Sequence, residues 1–216
     1  MNEQSIVKRP YASPLRIAQA AATRQAVSAA ASQLFGERGY VATSVDEIAT
    51  AAGVSRATVF TAVGRKPDLL KTALDVAIVG DDEPIALPDR PRSRAVRAES
   101  DPRRYLALYA GIVAEIGGRA SAIYEAVRGA AGADPAARAL WLEHQAQRRQ
   151  GGANVVRDLL GKTVLRPGLD PEAAADLVWV LNDPGLYRLL VHERRWTPAR
   201  FEDWLADTLQ RQLLSD

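Results

Sequence analysis

Ser44 and Ser55 constrain the fold of this chain more than any other residues, because each stands where a short helix can begin. Ser44 can accept a hydrogen bond from the backbone amide of Glu47, whose side chain can return the bond, and this reciprocal pattern is a capping box. Gly53 lies between the two serines, where a helix most easily ends through a left-handed residue. The spacing predicts a helix over residues 45–52, a tight turn at Gly53 and a second helix after Ser55.

Apolar residues fall on one side of each predicted helix. Val45, Ile48 and Ala49 share a face of the first helix, while Val59 and Val63 face inward in the second. The outer face of the second helix then carries Arg56, Ala57, Thr58, Phe60 and Thr61. Short side chains with a single base suit the floor of a DNA major groove, where bulk would hold the helix away from the bases. The alternative interpretation is a compact helical subdomain with conventional caps, which the agreement of many independent positions disfavours.

The stretch from Leu34 to Leu70 also resembles a known family. The residues that carry the likeness are Leu34-Phe35, Gly39-Tyr40, Thr43, Val45, Ile48-Ala49, Ala52-Gly53-Val54-Ser55, Thr58-Val59-Phe60, Lys66 and Leu69-Leu70. They resemble the N-terminal domain of TetR-type transcriptional regulators, over about a third of the chain. The resemblance implies a recognition helix at residues 55–63 and DNA-binding residues Thr43, Ser44, Ser55, Arg56, Ala57, Thr58, Phe60, Thr61 and Lys66. Lys66 also begins a predicted helix, beside amides of the kind that bind phosphate.

The chain departs from the family pattern at the end of the predicted recognition helix. The family's frequent Tyr, a phosphate contact, falls on Phe60, which can pack against sugar but has no hydroxyl to donate. A frequent aromatic pair falls on Ala62 and Val63. These departures affect the expected DNA contacts far more than the expected fold.

Composition argues against most enzyme chemistry. The chain of 216 residues contains no Cys, which removes disulfides, thiolate metal sites and Cys nucleophiles, and only His144 and His192 could supply imidazole. An acid-base site could be drawn from Glu143, His144 and either Asp183 or Glu193, but no nucleophile, metal set or glycine-rich phosphate loop accompanies it. We therefore expect no catalytic residue, no metal and no cofactor.

Charge is unevenly distributed along the chain. Residues 1–71 carry nine Lys or Arg against five acidic residues, a balance of +4, so the remainder carries −2 of the net +2. Residues 1–14, with Lys8 and Arg9, suggest either a flexible basic arm that follows DNA into the minor groove or a simply unordered terminus. The predicted domains that follow are a helix-turn-helix domain at 15–65, a connecting helix at 66–80, a linker or mobile loop at 81–102 and a helical domain at 103–216. The arginines of the linker could contact DNA, although a solvated loop is the simpler interpretation.

The whole chain is predicted to be all-α, with an N-terminal three-helix domain joined to a larger antiparallel helical bundle. Residues 170–214 are similar to the C-terminal part of many TetR-type proteins, which implies that the last two helices pair with their copies in a dimer. The expected interface residues are Leu186, Leu190, Phe201, Trp204, Leu205 and Leu209. The alternative is that they fill the core of a single protomer. A dimer is favoured because one short recognition helix reads too few base pairs.

The resemblance also implies an effector pocket among the preceding helices. Aromatic surface mixed with a few polar atoms is typical of small-molecule sites. The candidate residues are Tyr105, Tyr109, Tyr124, Trp141, His144, Trp179, Asn182 and Tyr187. Taken alone, each of them fits a core or groove position better than a pocket, and His144, between Glu143 and Gln145, fits a surface position better than a ligand or base.

These patterns together predict a cytoplasmic, dimeric repressor that binds a palindromic DNA operator and is released by an unidentified small molecule. We expect no membrane association, because no run of ~20 apolar residues and no secretion signal stand out. We expect repression rather than activation because repression is usual among TetR-type regulators. A helical ligand carrier whose head no longer binds DNA is the alternative class.

Overall fold

The protein is represented by a computed structural model that describes residues 14–81, 83 and 85–215. The predicted arm with Lys8 and Arg9 lies outside the described residues, except for Pro14, which begins the first helix. Four helices form the head: α1 (Pro14–Ala42), α2 (Val45–Ala51), α3 (Arg56–Ala62) and α4 (Lys66–Val79). Gly39 has a φ of +79°, a left-handed value that interrupts the helical backbone near the end of α1.

The remaining helices form the body. They are α5 (Pro91–Ala98), α6 (Pro102–Ala130), α7 (Pro135–Leu160), α8 (Pro171–Leu181), α9 (Pro184–Tyr187) and α10 (Pro198–Leu213), with a π-helical turn over Arg188–Glu193. Five of them share one kind of start, with a proline in the first turn and a preceding side chain that accepts backbone N–H bonds; these caps are Asp101, Asp134, Asp170, Asp183 and Thr197. The all-α prediction is confirmed, and no strand occurs in the part of the chain that the structure describes.

The segment 81–102, expected to be a linker or mobile loop, contains a 3-10 turn at Leu87–Asp89 and the helix α5. The Arg90 guanidinium holds it in place through two bonds of 2.6 Å to the Asp81 carboxylate and one of 3.0 Å to the Ile85 carbonyl. Val96 of α5 is buried in the body core. A single buried apolar residue gives almost no periodic signal, which is why the pattern indicated a loop.

Two hydrophobic cores divide the molecule at a place that the sequence did not indicate. The head core contains residues of α1 to α4, but it also contains Ala120, Ile123 and Val127 of α6 and Leu140 of α7. The body core includes the first half of α6, around Leu106. Helix α6 begins at Pro102, next to the predicted boundary at residue 103, but its second half packs in the head core, so α6 belongs to both cores.

Helix α6 is the central helix of the protein. An 18-residue window within it has a mean hydropathy of 1.3, long and apolar enough to cross a membrane by length and composition alone. Half of that window is buried within the protein, where α6 contacts α1, α4, α7 and α10. A buried core helix passes the same test of length and composition, so this window does not contradict the expectation of no membrane association.

The expected dimer interface is only partly available at the surface. Phe201, Leu205 and Leu209 are at most 1% exposed, because their four-residue spacing turns one side of α10 into the body core. The expectation that these three residues contact a partner is wrong. Leu186, Leu190 and Trp204 are half-buried and keep some accessible surface.

Candidate functional site

The helix-turn-helix of the head is built by local hydrogen bonds. Ser44 Oγ accepts from the Glu47 amide at 3.2 Å, and the Glu47 carboxylate accepts from the Ser44 amide at 2.8 Å. That backbone bond is the largest cause of the lowered pKa of Glu47. Ser55 Oγ accepts from the Thr58 amide at 3.1 Å and so caps α3, while Gly53 takes a φ of +68° in the turn. The predicted caps and turn are confirmed.

The outer face of α3 presents the residues that its spacing predicted. Val59 is fully buried, whereas Arg56, Ala57, Phe60 and Thr61 are exposed. Thr58 is half-buried, with its hydroxyl 2.8 Å from that of Ser55. This face is short, small and cationic at one end, which suits entry into a major groove.

Arg56 is held in one orientation on that face. Its Nη1 donates to Asp46 Oδ2 of α2 at 2.6 Å, and its guanidinium carbon lies 5.6 Å from the centroid of the Phe60 ring. Phe60 itself is 41% exposed, one turn further along α3. The arrangement therefore joins a cation and an apolar ring on the surface of the same helix.

Thr43, predicted to contact DNA, lies inside the head. It is 1% exposed, and its hydroxyl donates to the carbonyls of Leu34 at 3.2 Å and Gly39 at 2.9 Å. Its backbone amide also donates to the Tyr40 carbonyl. The expected DNA contact through this side chain is wrong, because Thr43 instead ties down the irregular end of α1.

Lys66 lies at the seam between head and body. Its Nζ stands 4.3 Å from the centroid of the Tyr40 ring, and the Tyr40 hydroxyl donates to Asp134 Oδ2 at 2.6 Å. Burial lowers the pKa of Lys66, an effect that the Asp134 and Glu47 carboxylates oppose. The sequence suggested phosphate for Lys66, but it gave no sign of a body residue beside it.

The sequence of the head matches a known protein family. Residues 28–73 match the family described as bacterial regulatory proteins, tetR family. The chain carries a TetR-family N-terminal domain. No curated protein sequence gives a significant match.

Solved structures extend the TetR-type fold beyond that domain. NalD of Pseudomonas aeruginosa, the secondary repressor of the MexAB-OprM multidrug efflux pump, is 24% identical with a TM-score of 0.69, covering 91% of this chain and 99% of NalD. FadR of Bacillus subtilis, in complex with stearoyl-CoA, is 16% identical with a TM-score of 0.67, covering 86% and 96%. A Saccharomonospora viridis protein described as a transcriptional regulator in complex with choline is 20% identical with a TM-score of 0.66, covering 89% and 98%. These likenesses show the TetR-type fold over 86 to 91% of the chain.

A cleft of about 720 Å³ opens in the body between α6, α7 and the corner of α8 and α9. Three predicted pocket residues, Tyr124, Trp141 and Trp179, line this body cleft. Its other lining residues are Glu125, Arg128, Gln145, Val180, Asp183, Gly185, Leu186, Arg188 and Leu189. A second concavity of about 800 Å³ lies on the head between α1, α3 and α4, away from the predicted pocket residues.

Arg148, which the sequence reasoning missed, organises the wall of the body cleft. Its side chain is 8% exposed and makes a 2.9 Å ion pair with Asp183. It also donates to the Tyr124 hydroxyl at 3.1 Å, the Trp179 carbonyl at 2.7 Å and Asn182 Oδ1 at 2.9 Å. Arg148 follows His144 by four residues on α7, and that spacing was the available signal, hidden in a run rich in Gln and Arg.

The other predicted pocket residues divide between the Arg148 network and the body core. Asn182 donates to the Tyr109 hydroxyl at 3.1 Å, so both belong to the network without lining the cleft. Tyr105 and Tyr187 pack in the body core, where the Tyr105 hydroxyl donates to the Val155 carbonyl, and they do not line the body cleft.

His144 is buried rather than on the surface. It is 7% exposed, and its ring lies edge-on to Tyr124 with the centroids 5.7 Å apart. Burial, reinforced by the nearby positive charge of Arg148, lowers its pKa to about 4. Among the described residues, His144 Nε2, Arg148 Nε and Trp179 Nε1 are buried without a hydrogen-bond partner, so this part of the body is polar but incompletely paired.

Proposed function

We propose that this protein is a sequence-specific DNA-binding transcriptional regulator that acts as a dimeric repressor. The observation that carries the proposal is the outer face of α3, where Arg56, Ala57, Phe60 and Thr61 are exposed on a capped helix of a TetR-type domain. This face enters the major groove, with Arg56 and Thr61 at base edges. Ser44 and Ser55 stand at the starts of α2 and α3, close to the phosphates.

A dimer follows from the size of the reading surface. Helix α3 has seven residues and reads only a few base pairs, so useful affinity requires two copies on a palindromic operator. The surface that remains for the partner is the exposed apolar rim of the cleft formed by Tyr124, Trp141 and Trp179, with Val180 at 54% and Leu189 at 47% exposure. Leu186, Leu190 and Trp204 extend it. The protein works in the cytoplasm, where operator DNA is found.

We assign the effector to the body cleft. Its three aromatic walls and scattered polar atoms resemble small-molecule sites, and two proteins of the same fold hold choline and stearoyl-CoA. A small organic molecule enters against Tyr124, Trp141 and Trp179. It releases DNA only if it binds more tightly to a dimer whose heads are spaced wrongly for two successive major grooves.

Two contacts between body and head can carry that change. Trp141 lines the body cleft and packs against the head core, so a ligand that displaces its ring moves the support of the head. Asp134 caps the start of α7 and also accepts the Tyr40 hydroxyl, beside Lys66. A shift of α7 therefore reaches the start of α4 directly.

Selection of bound fragments from genomic DNA with purified protein tests the proposal. Wild-type protein should enrich a palindromic site, and light scattering should show a dimer bound to each duplex. Fragments without a shared sequence would overturn sequence-specific binding. If dimerisation and ligand quenching of tryptophan fluorescence survived that failure, the protein would be a helical ligand carrier.

A further inference from the structure

An exposed ion pair lies beside the outer face of α3. Because it is exposed, it should contribute little to the stability of the head. Arg56 Nη1 and Asp46 Oδ2 are 2.6 Å apart, while the two side chains are 56% and 64% exposed. Exposed pairs of this kind contribute little to folding, because water and salt screen them and two side chains lose freedom. The pair joins α2 to the first residue of α3, which lies on the exposed face of that helix.

We propose that Asp46 is a positioning residue for DNA specificity: it holds the Arg56 guanidinium in the orientation that reads a single guanine in each half-site. This inference rests on the proposed function, because Arg56 must face DNA for its orientation to matter. Guanine is the base concerned, since its O6 and N7 accept two parallel N–H bonds from one guanidinium.

The geometry leaves Arg56 able to make those bonds while it is held. The contact with Asp46 uses only Nη1, and a guanidinium carries further N–H donors on Nε and Nη2. The Phe60 ring also lies against the group, with its centroid 5.6 Å from the guanidinium carbon. An arginine fixed by a carboxylate and a ring loses less freedom when it binds a base than one that samples solvent.

Asp46 also affects how tightly the outer face of α3 binds DNA of the wrong sequence. A free arginine can leave the base edge and bind any phosphate, which strengthens binding to all sequences alike. An arginine paired with a carboxylate is partly neutralised and cannot follow phosphates without breaking the pair. Asp46 should therefore raise affinity for the correct site relative to others while it lowers non-specific affinity.

The test compares the affinity of selected operator with that of the same duplex carrying one changed guanine per half-site, and with scrambled duplex. Asp46→Ala should reduce discrimination at that guanine by about 5- to 150-fold, the value of one bidentate contact. Scrambled duplex should bind the variant more tightly than wild type, with a steeper salt dependence. Asp46→Asn, which keeps an acceptor oxygen, should retain part of the discrimination.

Two controls separate positioning from damage to the fold. Asp207→Ala removes the same kind of exposed carboxylate, paired with Arg211 at 2.9 Å on α10, and should leave every DNA affinity unchanged. In an Arg56→Ala background, Asp46→Ala should no longer alter the discrimination, because Asp46 acts through Arg56.

The experiment distinguishes failure of this inference from failure of the proposed function. If wild-type protein selects no operator, the proposed function fails and this inference fails with it. If wild type selects an operator but Asp46→Ala discriminates the changed guanine equally well, the inference alone is overturned. An Asp46→Ala protein that unfolds at lower denaturant and binds all duplexes equally weakly would also overturn it, because that result means a structural role.

Discussion

In both the head and the body, the local sequence sets where helices begin. The two regions differ in what decides which side of a helix is buried. Both regions begin helices at short polar caps, such as Ser44 and Ser55 in the head and Asp170 and Thr197 in the body. In the head, α2 and α3 have seven residues each and bury the side that their spacing indicates. In the body, helices of up to 29 residues meet several neighbours along their length. Helix boundaries are therefore local properties, while the choice of buried face in long helices is a tertiary one.

The largest test of this comparison concerns α10. Leu205 is fully buried in the body core, so Leu205→Glu should destabilise the protomer by about 4 kcal/mol or more, because an unpaired charge enters an apolar core. Urea unfolding followed by circular dichroism measures the effect. Leu189→Glu is the matched control, because Leu189 is 47% exposed; it should stay folded and weaken the dimer instead. A stable, monomeric Leu205→Glu protein would restore this residue to the interface.

The second prediction concerns the buried histidine of the body. The pKa of His144 in the folded protein is lowered from 6.5 to about 4, so the unfolded chain takes up this proton first as the pH falls. Its contribution to stability is complete above pH 6.5 and is lost between pH 6.5 and about 4. The loss should reach about 3 kcal/mol at most.

Unfolding in urea at several pH values measures that loss. His144→Gln should flatten the dependence of stability on pH within this window. An unchanged slope in the His144→Gln protein would mean that the histidine is not buried in neutral form.

The third prediction concerns Thr43 in the head. Thr43→Val keeps the shape but removes the hydroxyl that donates to Leu34 and Gly39, and it should cost about 1 to 3 kcal/mol because a buried carbonyl loses its donor. Once folded, the variant should select the same DNA sequence as wild type. Thr61→Val, on the exposed face of α3, should show the reverse: unchanged stability and an altered sequence preference. A changed operator for Thr43→Val would put this residue at the DNA.

Particular residues show how far the sequence leads. The Ser44 and Glu47 capping box was predictable because its partners are three residues apart and need no other part of the chain. Thr43 was wrongly predicted to contact DNA because the family resemblance was taken to place its side chain on the surface. Its hydrogen bonds instead depend on the bend at Gly39, which the sequence pattern did not indicate. Arg148 was missed because the sequence around a buried arginine does not differ from that around an exposed one. Its acceptors come from other parts of the chain, namely Tyr124 of α6 and the corner of α8 and α9. No local feature of the sequence indicates that α6 belongs to both hydrophobic cores.

The central claim is that the outer face of α3 reads DNA sequence, and a fluorescence anisotropy titration tests it most directly. Selected operator and scrambled duplex are each titrated at fixed salt with wild type, Arg56→Ala and Lys66→Ala. Wild type should prefer operator by about 1,000-fold or more. Arg56→Ala should lose about 1 to 3 kcal/mol of that preference, whereas Lys66→Ala should weaken both duplexes alike. Equal affinity of wild type for operator and scrambled duplex would contradict the account.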